Sequence, residues 1–246
     1  MRNLKLVIEY DGTAYSGWQR QAPGFPTIQQ TLEETIEKMF QEKVTLLSAG
    51  RTDAGVHAMG QVAHFRTESR LENRGILLGL NSLLPPDISI KSVEEIDMNF
   101  HSRYSAVSKV YLYRVLNSRT RSGLNRNCAW FVHEPLDLEA MREAACHLKG
   151  RHDFSAFCAA NNESVTFERT VMNLDVKRTP EDIILFQVEA DGFLKYMVRN
   201  IVGTLVYVGK GKFTTDQVRT ILNSRDRTKA GPTAPPQGLF LKEVKY

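Results

Sequence analysis

One short stretch of the chain combines a carboxylate and a cation with residues too small to obstruct them. Residues 48–58 read SAGRTDAGVHA, in which Arg51 and Asp53 are separated by a single threonine. Side chains alternate along an extended segment, so Arg51 and Asp53 are expected to lie on the same side of it. Glycines flank the pair and let the backbone take positive φ and approach a ligand closely. An accessible carboxylate of this kind can act as a nucleophile.

A second interpretation of the same stretch requires no chemistry. An Asp-Gly-type turn carrying a surface ion pair would use the same residue types. Both interpretations stay open on the residues alone. His57 lies at the end of the stretch and has no partner at useful spacing, so we predict a structural hydrogen bond for it rather than a general-base role.

Basic residues are concentrated in two parts of the chain. Residues 101–130 contain six basic residues and no acidic one, and residues 195–231 contain eight basic and two acidic residues. The formal net charge of the whole chain is only +4, so this distribution says more than the total. Such stretches either bind a phosphate-rich partner or form a solvated face. The absence of acids over thirty residues favours nucleic acid.

Length and composition limit the class of protein. A chain of 246 residues suits two domains of about 100–150 residues each, and 42% hydrophobic with 24% charged residues is ordinary for a soluble protein. Three cysteines without C-x-x-C spacing indicate reduced thiols in a cytosolic protein, and neither a disulfide nor a metal is expected. The sequence shows no signal peptide and no apolar run near the ~20 residues that span a bilayer. We therefore predict a cytoplasmic protein with no membrane partner.

The elements that must position Asp53 belong to an alternation of strands and helices. A helix is predicted to begin at Thr27, with capping-box spacing to Gln30. Another helix is predicted over 71–84 and is ended by two prolines. The polar and aromatic loop holding Asp11, Trp18 and Gln19 either contacts RNA or is an ordered surface loop. Strands are predicted at 4–10, 44–48, 61–66 and 87–93.

The second half continues the same alternation. A long strand over 105–115 carries Tyr111 and Tyr113 on one face, and a hairpin joins strands at 171–176 and 183–188. An apolar, buried helix is predicted over 195–208. The remaining predictions are a strand at 127–132, helices at 138–148 and 214–222, the latter with capping-box spacing to Gln217, and a closing strand at 238–244.

A faint internal repeat suggests how these elements are grouped. LVIEYDG at 6–12 and FQVEADG at 186–192 are each a strand ending in E-x-D-G, followed by a loop and then a helix. We predict an α+β fold of two similar α/β halves, 1–104 and 105–246, with mixed, mainly antiparallel sheets covered by helices. A cleft between such halves is the natural place for an active site.

Motifs spread over the whole chain resemble those of one enzyme family. They are GRTDAGVHA, FHSRYSA, KVYLYR, DFSAF, ADGFLKYMVRNIVG and APPQGLFL, in that order. Together they resemble the tRNA pseudouridine synthase A family. The resemblance implies isomerisation of uridine to pseudouridine at positions 38–40 of the tRNA anticodon stem-loop, in a homodimer that needs no cofactor.

The resemblance also implies a role for four residues. Asp53 matches the catalytic aspartate of the family, and Tyr111 matches the tyrosine that stacks on the target uracil. Arg199 matches the basic residue paired with the aspartate, and Arg51 matches an arginine that holds the substrate nucleotide. Without the resemblance, Tyr111 and Tyr113 would be interpreted as cross-strand packing residues.

The chemistry is compatible with one carboxylate. The reaction breaks the N1–C1′ bond, turns the uracil and joins C5 to C1′, with no redox step and no group lost. Hydrolysis would require a second carboxylate, and Asp11 and Asp191, both in D-G pairs, are interpreted first as turn residues. Attack of Asp53 on C1′ or on C6 of the base stays open. The alternatives are a non-catalytic RNA-binding protein and an aspartate-nucleophile hydrolase.

Overall fold

The structure, a computed structural model of the chain, describes residues 1–21, 24–159 and 165–246. Within these residues the chain forms five α-helices and ten β-strands. In chain order they are β1 (Arg2–Tyr10), α1 (Ile28–Phe40), β2 (Leu47–Ser48), β3 (His57–Thr67), α2 (Asn73–Leu83), β4 (Ile88–Ile96), β5 (Ser108–Asn117), β6 (Trp130–Val132), α3 (Leu138–Cys146), β7 (Gly150–Asp153), β8 (Glu168–Arg178), β9 (Ile183–Ala190), α4 (Met197–Gly209), α5 (Thr215–Ser224) and β10 (Leu239–Lys245).

The chain divides into two units. One comprises Met1–Val107 together with Phe240–Tyr246, and the other comprises Ser108–Leu239. These limits differ from the predicted halves mainly at the end of the chain. The last residues lie in the first unit because β10 pairs with β3.

The sheet of the first unit has the strand order β4-β1-β3-β10, with β2 paired to β3. The pairs of β1 with β3 and with β4 are antiparallel, whereas β10 runs parallel to β3 and places Phe240 opposite His57. The β1 side chains of Leu4, Leu6 and Ile8 are fully buried, as their alternation predicts. These strands supply the rigid frame for the loop that holds Asp53.

Helix α1 begins as its sequence predicts. The Thr27 side chain caps the helix by accepting a hydrogen bond from the Gln30 backbone N–H at 3.3 Å. Gln30 itself donates to Glu34 at 2.8 Å, so only the threonine half of the predicted capping box is confirmed. Ile28, Leu32 and Ile36 are fully buried on one face of the helix.

The sheet of the second unit has the strand order β5-β9-β8-β7, and these pairs are antiparallel. Strand β6 lies beside β5 in the parallel direction. Helix α3 packs on β8, and α4 packs on α3, β5 and α5. The buried character predicted for α4 is confirmed, since nearly all of its side chains lie in the core. Mixed, mainly antiparallel sheets with helices are thus confirmed for the fold class.

Several predicted boundaries were wrong in detail. The strand predicted over 44–48 is reduced to Leu47–Ser48, because only these residues pair with β3. The strand predicted over 61–66 extends from His57 to Thr67 and so begins directly after the central stretch. Strand β7 was not predicted, since its four residues carry no alternating hydrophobic pattern.

Among the residues that the structure describes, no helix is both long enough and apolar enough to cross a membrane.

Candidate active site

The carboxylate of Asp53 stands at the first position of a tight turn. The Val56 backbone N–H donates to the Asp53 carbonyl oxygen at 3.1 Å, and Gly55 has φ of +74°. A positive φ at the third position is what a type II turn requires, and glycine adopts it without strain. The turn interpretation of the sequence is therefore correct for the backbone. It does not exclude chemistry at Asp53, because the turn uses the backbone of that residue.

Exposure alternates along the residues that precede the turn. Arg51 is exposed, Thr52 is buried and Asp53 is partly buried. This pattern agrees with the prediction that Arg51 and Asp53 lie on the same side of an extended segment. Two charged side chains are thus presented from one short loop of the first unit.

Thr52 anchors this loop to the sheet. Its hydroxyl is 2.7 Å from the hydroxyl of Tyr10, and its carbonyl oxygen accepts from the Trp18 backbone N–H at 3.0 Å. Burial raises the pKa of Tyr10 above its ordinary value, so the phenol keeps its proton in this hydrogen bond. The Gly55 N–H donates to the Tyr15 carbonyl oxygen at 3.3 Å. Tyr15 and Trp18 belong to the loop after β1 (residues 11–21), called the neighbouring loop below, so both bonds join the Asp53 turn to that loop.

The neighbouring loop packs against the Asp53 turn backbone to backbone. A Cβ atom on Gly12 would lie 2.0 Å from the Val56 carbonyl oxygen, and one on Gly17 would lie 2.6 Å from the Thr52 carbonyl oxygen. Gly17 also has φ of +93°, which disfavours other residues. Both glycines are therefore required by close approach. Sequence reasoning missed this role, although two glycines five residues apart in one loop were a visible signal.

Trp18 is a core residue and not a surface contact. Its side chain is 1% exposed and lies with its ring centroid 6.1 Å from that of Tyr10. Neither of the two roles predicted for this loop, RNA contact or ordered surface loop, describes the tryptophan. The loop packs directly against the Asp53 turn and supports it.

The structural hydrogen bond predicted for His57 is confirmed. Its Nδ1 accepts from the Gly12 backbone N–H at 3.1 Å, and its ring stacks on Phe240 with centroids 4.6 Å apart. Asp11 lies at 3.1 Å from the same nitrogen. Burial would raise the pKa of Asp11, but the hydrogen bonds that the Thr13 hydroxyl and backbone N–H donate to it outweigh burial and hold that pKa below its ordinary value.

In the second unit, Arg199 lies in the first turn of α4. Its Nε donates to the Ala234 carbonyl oxygen at 2.8 Å, and the Ala234 N–H donates back to the Arg199 carbonyl oxygen at 3.1 Å. The guanidinium carbon lies 4.7 Å from the ring centroid of Tyr196, within the range of a cation–π interaction. Tyr196 precedes the helix with φ of +64°, an uncommon backbone conformation for an aromatic residue.

A buried polar cluster holds residues 226–235 against α4. Asn200 is fully buried and donates to the Phe157 carbonyl oxygen at 2.8 Å. Its side-chain oxygen accepts from Thr233 at 2.7 Å and from Arg227 at 3.0 Å. Every polar atom of the Asn200 side chain is thereby engaged, which fixes the segment that supplies the Ala234 carbonyl to Arg199.

The structure distinguishes the two tyrosines of β5. Tyr113 is fully buried, donates its hydroxyl to the Pro235 carbonyl oxygen at 2.7 Å, and has a pKa raised by burial. Tyr111 is 8% exposed, and its ring meets Phe193 edge to face with centroids 4.9 Å apart. Both tyrosines are therefore buried, and they differ in that Tyr113 is fully covered whereas a small part of Tyr111 is exposed.

The four residues that the sequence predicts for the site are divided between the two units, two in each. Arg51 and Asp53 share one loop of the first unit. In the second unit, Tyr111 lies on β5 and Arg199 on α4, which packs on that strand.

Comparison with known proteins gives consistent matches. A family model described as tRNA pseudouridine synthase matches residues 6–105 and 144–246. The chain is 51% identical over 246 residues to a protein of Myxococcus xanthus named tRNA pseudouridine synthase A, covering 100% of this chain and 92% of that relative. Relatives of the same name from Thermoanaerobacter sp. (strain X514) and Geotalea daltonii are 47% and 49% identical, with complete coverage of both chains.

Proposed function

Because the chain belongs to the tRNA pseudouridine synthase family, we propose that it isomerises uridine to pseudouridine in tRNA with Asp53 as the nucleophile. The protein is an isomerase that acts on uridine in tRNA. The observation that supports Asp53 is its place at the first position of a turn whose backbone is fixed from two sides, by Thr52 and by Gly55. A nucleophile held in this way loses little entropy in reaching its target.

The reaction assigns one task to the carboxylate. Asp53 adds either to C1′ of the ribose, which releases the uracil as an anion, or to C6 of the base, and both alternatives stay open. In the first case C5 of the turned base displaces the carboxylate from C1′. In the second, the N1–C1′ bond breaks, the base turns, C5 bonds to C1′ and the carboxylate leaves C6. In both cases C5 then gives up its hydrogen to water and N1 takes up a proton. No atom is gained or lost overall except by exchange of the C5 hydrogen with water.

Tyr111 and Arg51 bind the target nucleotide in this proposal. A paired or stacked uridine must leave its stack before its sugar can be reached, which costs a few kcal/mol. Stacking of the uracil on Tyr111 offsets about 1–3 kcal/mol of this cost. The role of Tyr111 rests on the family resemblance, and the exposed side chain of Arg51 is suited to hold a phosphate of the same nucleotide.

Arg199 is proposed as the cation that keeps Asp53 ionised. Its role rests on the family resemblance, together with the hydrogen bond and the aromatic ring that hold its guanidinium in a defined place. The two halves thus divide the work: the N-terminal half carries Asp53 and Arg51, and the C-terminal half carries Tyr111 and Arg199. A site formed between the halves stays a prediction.

The finer identity of the substrate also belongs to the proposal. We expect the uridines at positions 38–40 of the anticodon stem-loop to be the targets, and we expect a homodimer in the cytoplasm. These expectations rest on the family resemblance and on the basic stretches 101–130 and 195–231.

The experiment is release of tritium from tRNA transcripts labelled at C5 of uridine. Only an isomerase displaces the C5 hydrogen, so tritium release separates it from a non-catalytic RNA-binding protein. A hydrolase would instead liberate uracil. Transcripts in which the uridines at 38, 39 and 40 are replaced one at a time by cytidine should each lose only the corresponding release. Equal release from a transcript that lacks all three would contradict the proposed positions.

Comparison of two tyrosine variants tests the assignment of Tyr111. Tyr111→Leu removes the aromatic ring but fills much of its volume, and it should lower single-turnover activity by a factor equivalent to about 1–3 kcal/mol. Tyr113→Phe removes only the hydroxyl bonded to Pro235, so it should lower the free energy of unfolding by about 1 kcal/mol and leave activity near wild type. Equal loss of activity in both variants would identify Tyr111 as a packing residue.

A further inference from the structure

The motif FHSRYSA presents an aromatic side chain that the reaction does not use. Tyr104 is 78% exposed, more than any other tyrosine of the chain, each of which the structure describes. It lies in the turn 101–104 that precedes β5, in the first unit. A large exposed aromatic side chain is a common mark of a binding surface.

The turn is built so that the ring of Tyr104 has a fixed orientation. The imidazole of His101 lies 4.4 Å from it, centroid to centroid, and Nδ1 of His101 accepts from the backbone N–H groups of Arg103 at 3.1 Å and Tyr104 at 3.4 Å. Ser105 closes the turn by donating its backbone N–H to the His101 carbonyl oxygen at 2.9 Å. An exposed ring that is ordered in this way pays little conformational entropy on binding.

Buried polar side chains hold the turn 101–104 in place. Ser102 is fully buried, and its hydroxyl donates to the Leu47 carbonyl oxygen at 2.5 Å and lies 3.0 Å from Nδ1 of His64. His64 on β3 meets the ring of His101 edge to face at 4.9 Å. The Tyr246 hydroxyl donates to the Ser102 carbonyl oxygen at 2.8 Å. The turn therefore rests on β2, on β3 and on the residue that follows β10.

An arginine lies beside the ring of Tyr104. The guanidinium carbon of Arg103 lies 5.8 Å from the Tyr104 ring centroid. Arg66 donates to the Met98 carbonyl oxygen at 3.0 Å, in the residues that lead into the turn. No acidic residue occurs between Met98 and His133 in the sequence. An aromatic platform with a guanidinium at its side is the combination that binds a base and its phosphate.

We infer that His101, Arg103 and Tyr104 form a second RNA-binding surface, on which Tyr104 stacks a base and Arg103 binds a phosphate. The inference rests on the proposed function in that the RNA is the tRNA substrate. His57 and His64 are seven residues apart on β3, roughly 23 Å at the rise of an extended strand. The surface therefore contacts tRNA well away from the nucleotide that Asp53 attacks, and it contributes to affinity rather than to the chemical step.

The test measures binding and chemistry separately. Tyr104→Ala should raise the Kd for unmodified tRNA about tenfold or more, with the single-turnover rate at saturating enzyme unchanged. Tyr104→Phe should bind like wild type, because it keeps the ring. The matched control is Leu78→Ala, which removes a 60% exposed apolar side chain from α2 of the same unit and should leave Kd unchanged. A wild-type Kd for Tyr104→Ala would overturn the inference.

The phosphate contact has its own readout. Arg103→Ala should make the dependence of log Kd on log salt concentration shallower by about one unit of slope, as loss of one phosphate contact requires. Arg74→Ala, which removes an exposed arginine from α2, should leave the slope as in wild type. An unchanged slope for Arg103→Ala would overturn the phosphate contact.

A third measurement excludes the competing explanations. In Tyr104→Trp the new indole should lose fluorescence when tRNA is added, and unchanged emission would overturn stacking. Sedimentation of Tyr104→Ala should match wild type, and a shift towards a smaller species would assign the surface to a contact between copies of the chain. Because these readouts follow binding, they stand even if wild type releases no tritium, an outcome that would remove only the proposed function.

Discussion

The two segments that present Asp53 and Arg199 are held in place by different means. The Asp53 turn is fixed through backbone atoms, with Gly12 and Gly17 allowing the neighbouring loop to lie directly against it. The segment beside Arg199 is fixed through side chains, with Asn200 at the centre of a buried cluster. The first arrangement tolerates no added atom at its glycines, whereas the second depends on the polar groups of particular side chains.

The difference suits the parts that the two residues are proposed to play. Contacts of the backbone determine where the Asp53 turn lies. The Thr52 side chain adds a hydrogen bond to Tyr10. The polar cluster extends to the guanidinium of Arg199 through the Ala234 carbonyl, so it determines the orientation of the charge itself. Four changes test this contrast.

Asp53→Asn should lower turnover by at least about a thousandfold, since the amide keeps the shape of the side chain and loses its nucleophilicity. Binding of tRNA and thermal stability should stay near wild type, because the turn uses the backbone of residue 53. Tritium release and filter binding on the same preparation measure both. Loss of fold or of tRNA affinity would mean that the carboxylate is structural.

Arg199→Met should change how the single-turnover rate depends on pH. In the proposed pairing of Arg199 with Asp53, removing the cation raises the pKa of the carboxylate, so the charged fraction of Asp53 falls at pH 7 and recovers at higher pH. The rate should fall at pH 7 and rise with pH more steeply than in wild type. Arg199→Lys should keep part of the rate, as it retains the charge without the planar geometry. A profile that is merely displaced downwards would separate Arg199 from the ionisation of Asp53.

Gly17→Ala tests the backbone support. The added methyl group would lie 2.6 Å from the Thr52 carbonyl oxygen at a backbone φ of +93°, so we expect the free energy of unfolding to fall by about 2–4 kcal/mol and activity to fall with it. Gly75→Ala is the matched control, because a methyl group there meets open space on α2 and should be neutral or stabilising by up to about 1 kcal/mol. Equal urea midpoints for the two variants would show that the glycine contact is not required.

Thr233→Val tests the side-chain support. It removes the hydroxyl that bonds Asn200 at 2.7 Å, and we expect a loss of about 1–2 kcal/mol in the free energy of unfolding. The position of Arg199 should loosen as well, so activity should fall more than this stability loss explains at a temperature where the protein stays folded. Thr228→Val, which changes an exposed threonine of the same segment, should leave activity unchanged. A stability loss with wild-type activity would confine the cluster to a structural role.

Local patterns of residues predict the elements whose signals lie within a few positions of one another. Strand β1, the β8–β9 hairpin, the start of α1 at Thr27 and the capping box of α5 between Thr214 and Gln217 all follow from neighbouring residues. Alternation, helical periodicity and caps involve side chains within a few positions of each other, so they can be read from a window of the chain. The order of motifs also identified the family, which the comparisons confirm.

The tertiary structure alone decided which distant segments meet. The parallel pairing of β10 with β3 places Phe240 on His57, and the packing of Gly12 and Gly17 against the Asp53 turn depends on where two loops of the first unit lie. The sequence also does not show which of Tyr111 and Tyr113 is the more exposed. Both share one face of β5 and differ only in the residues that cover them. Burial is a property of the neighbours that the whole fold brings together, and no spacing along the chain encodes it.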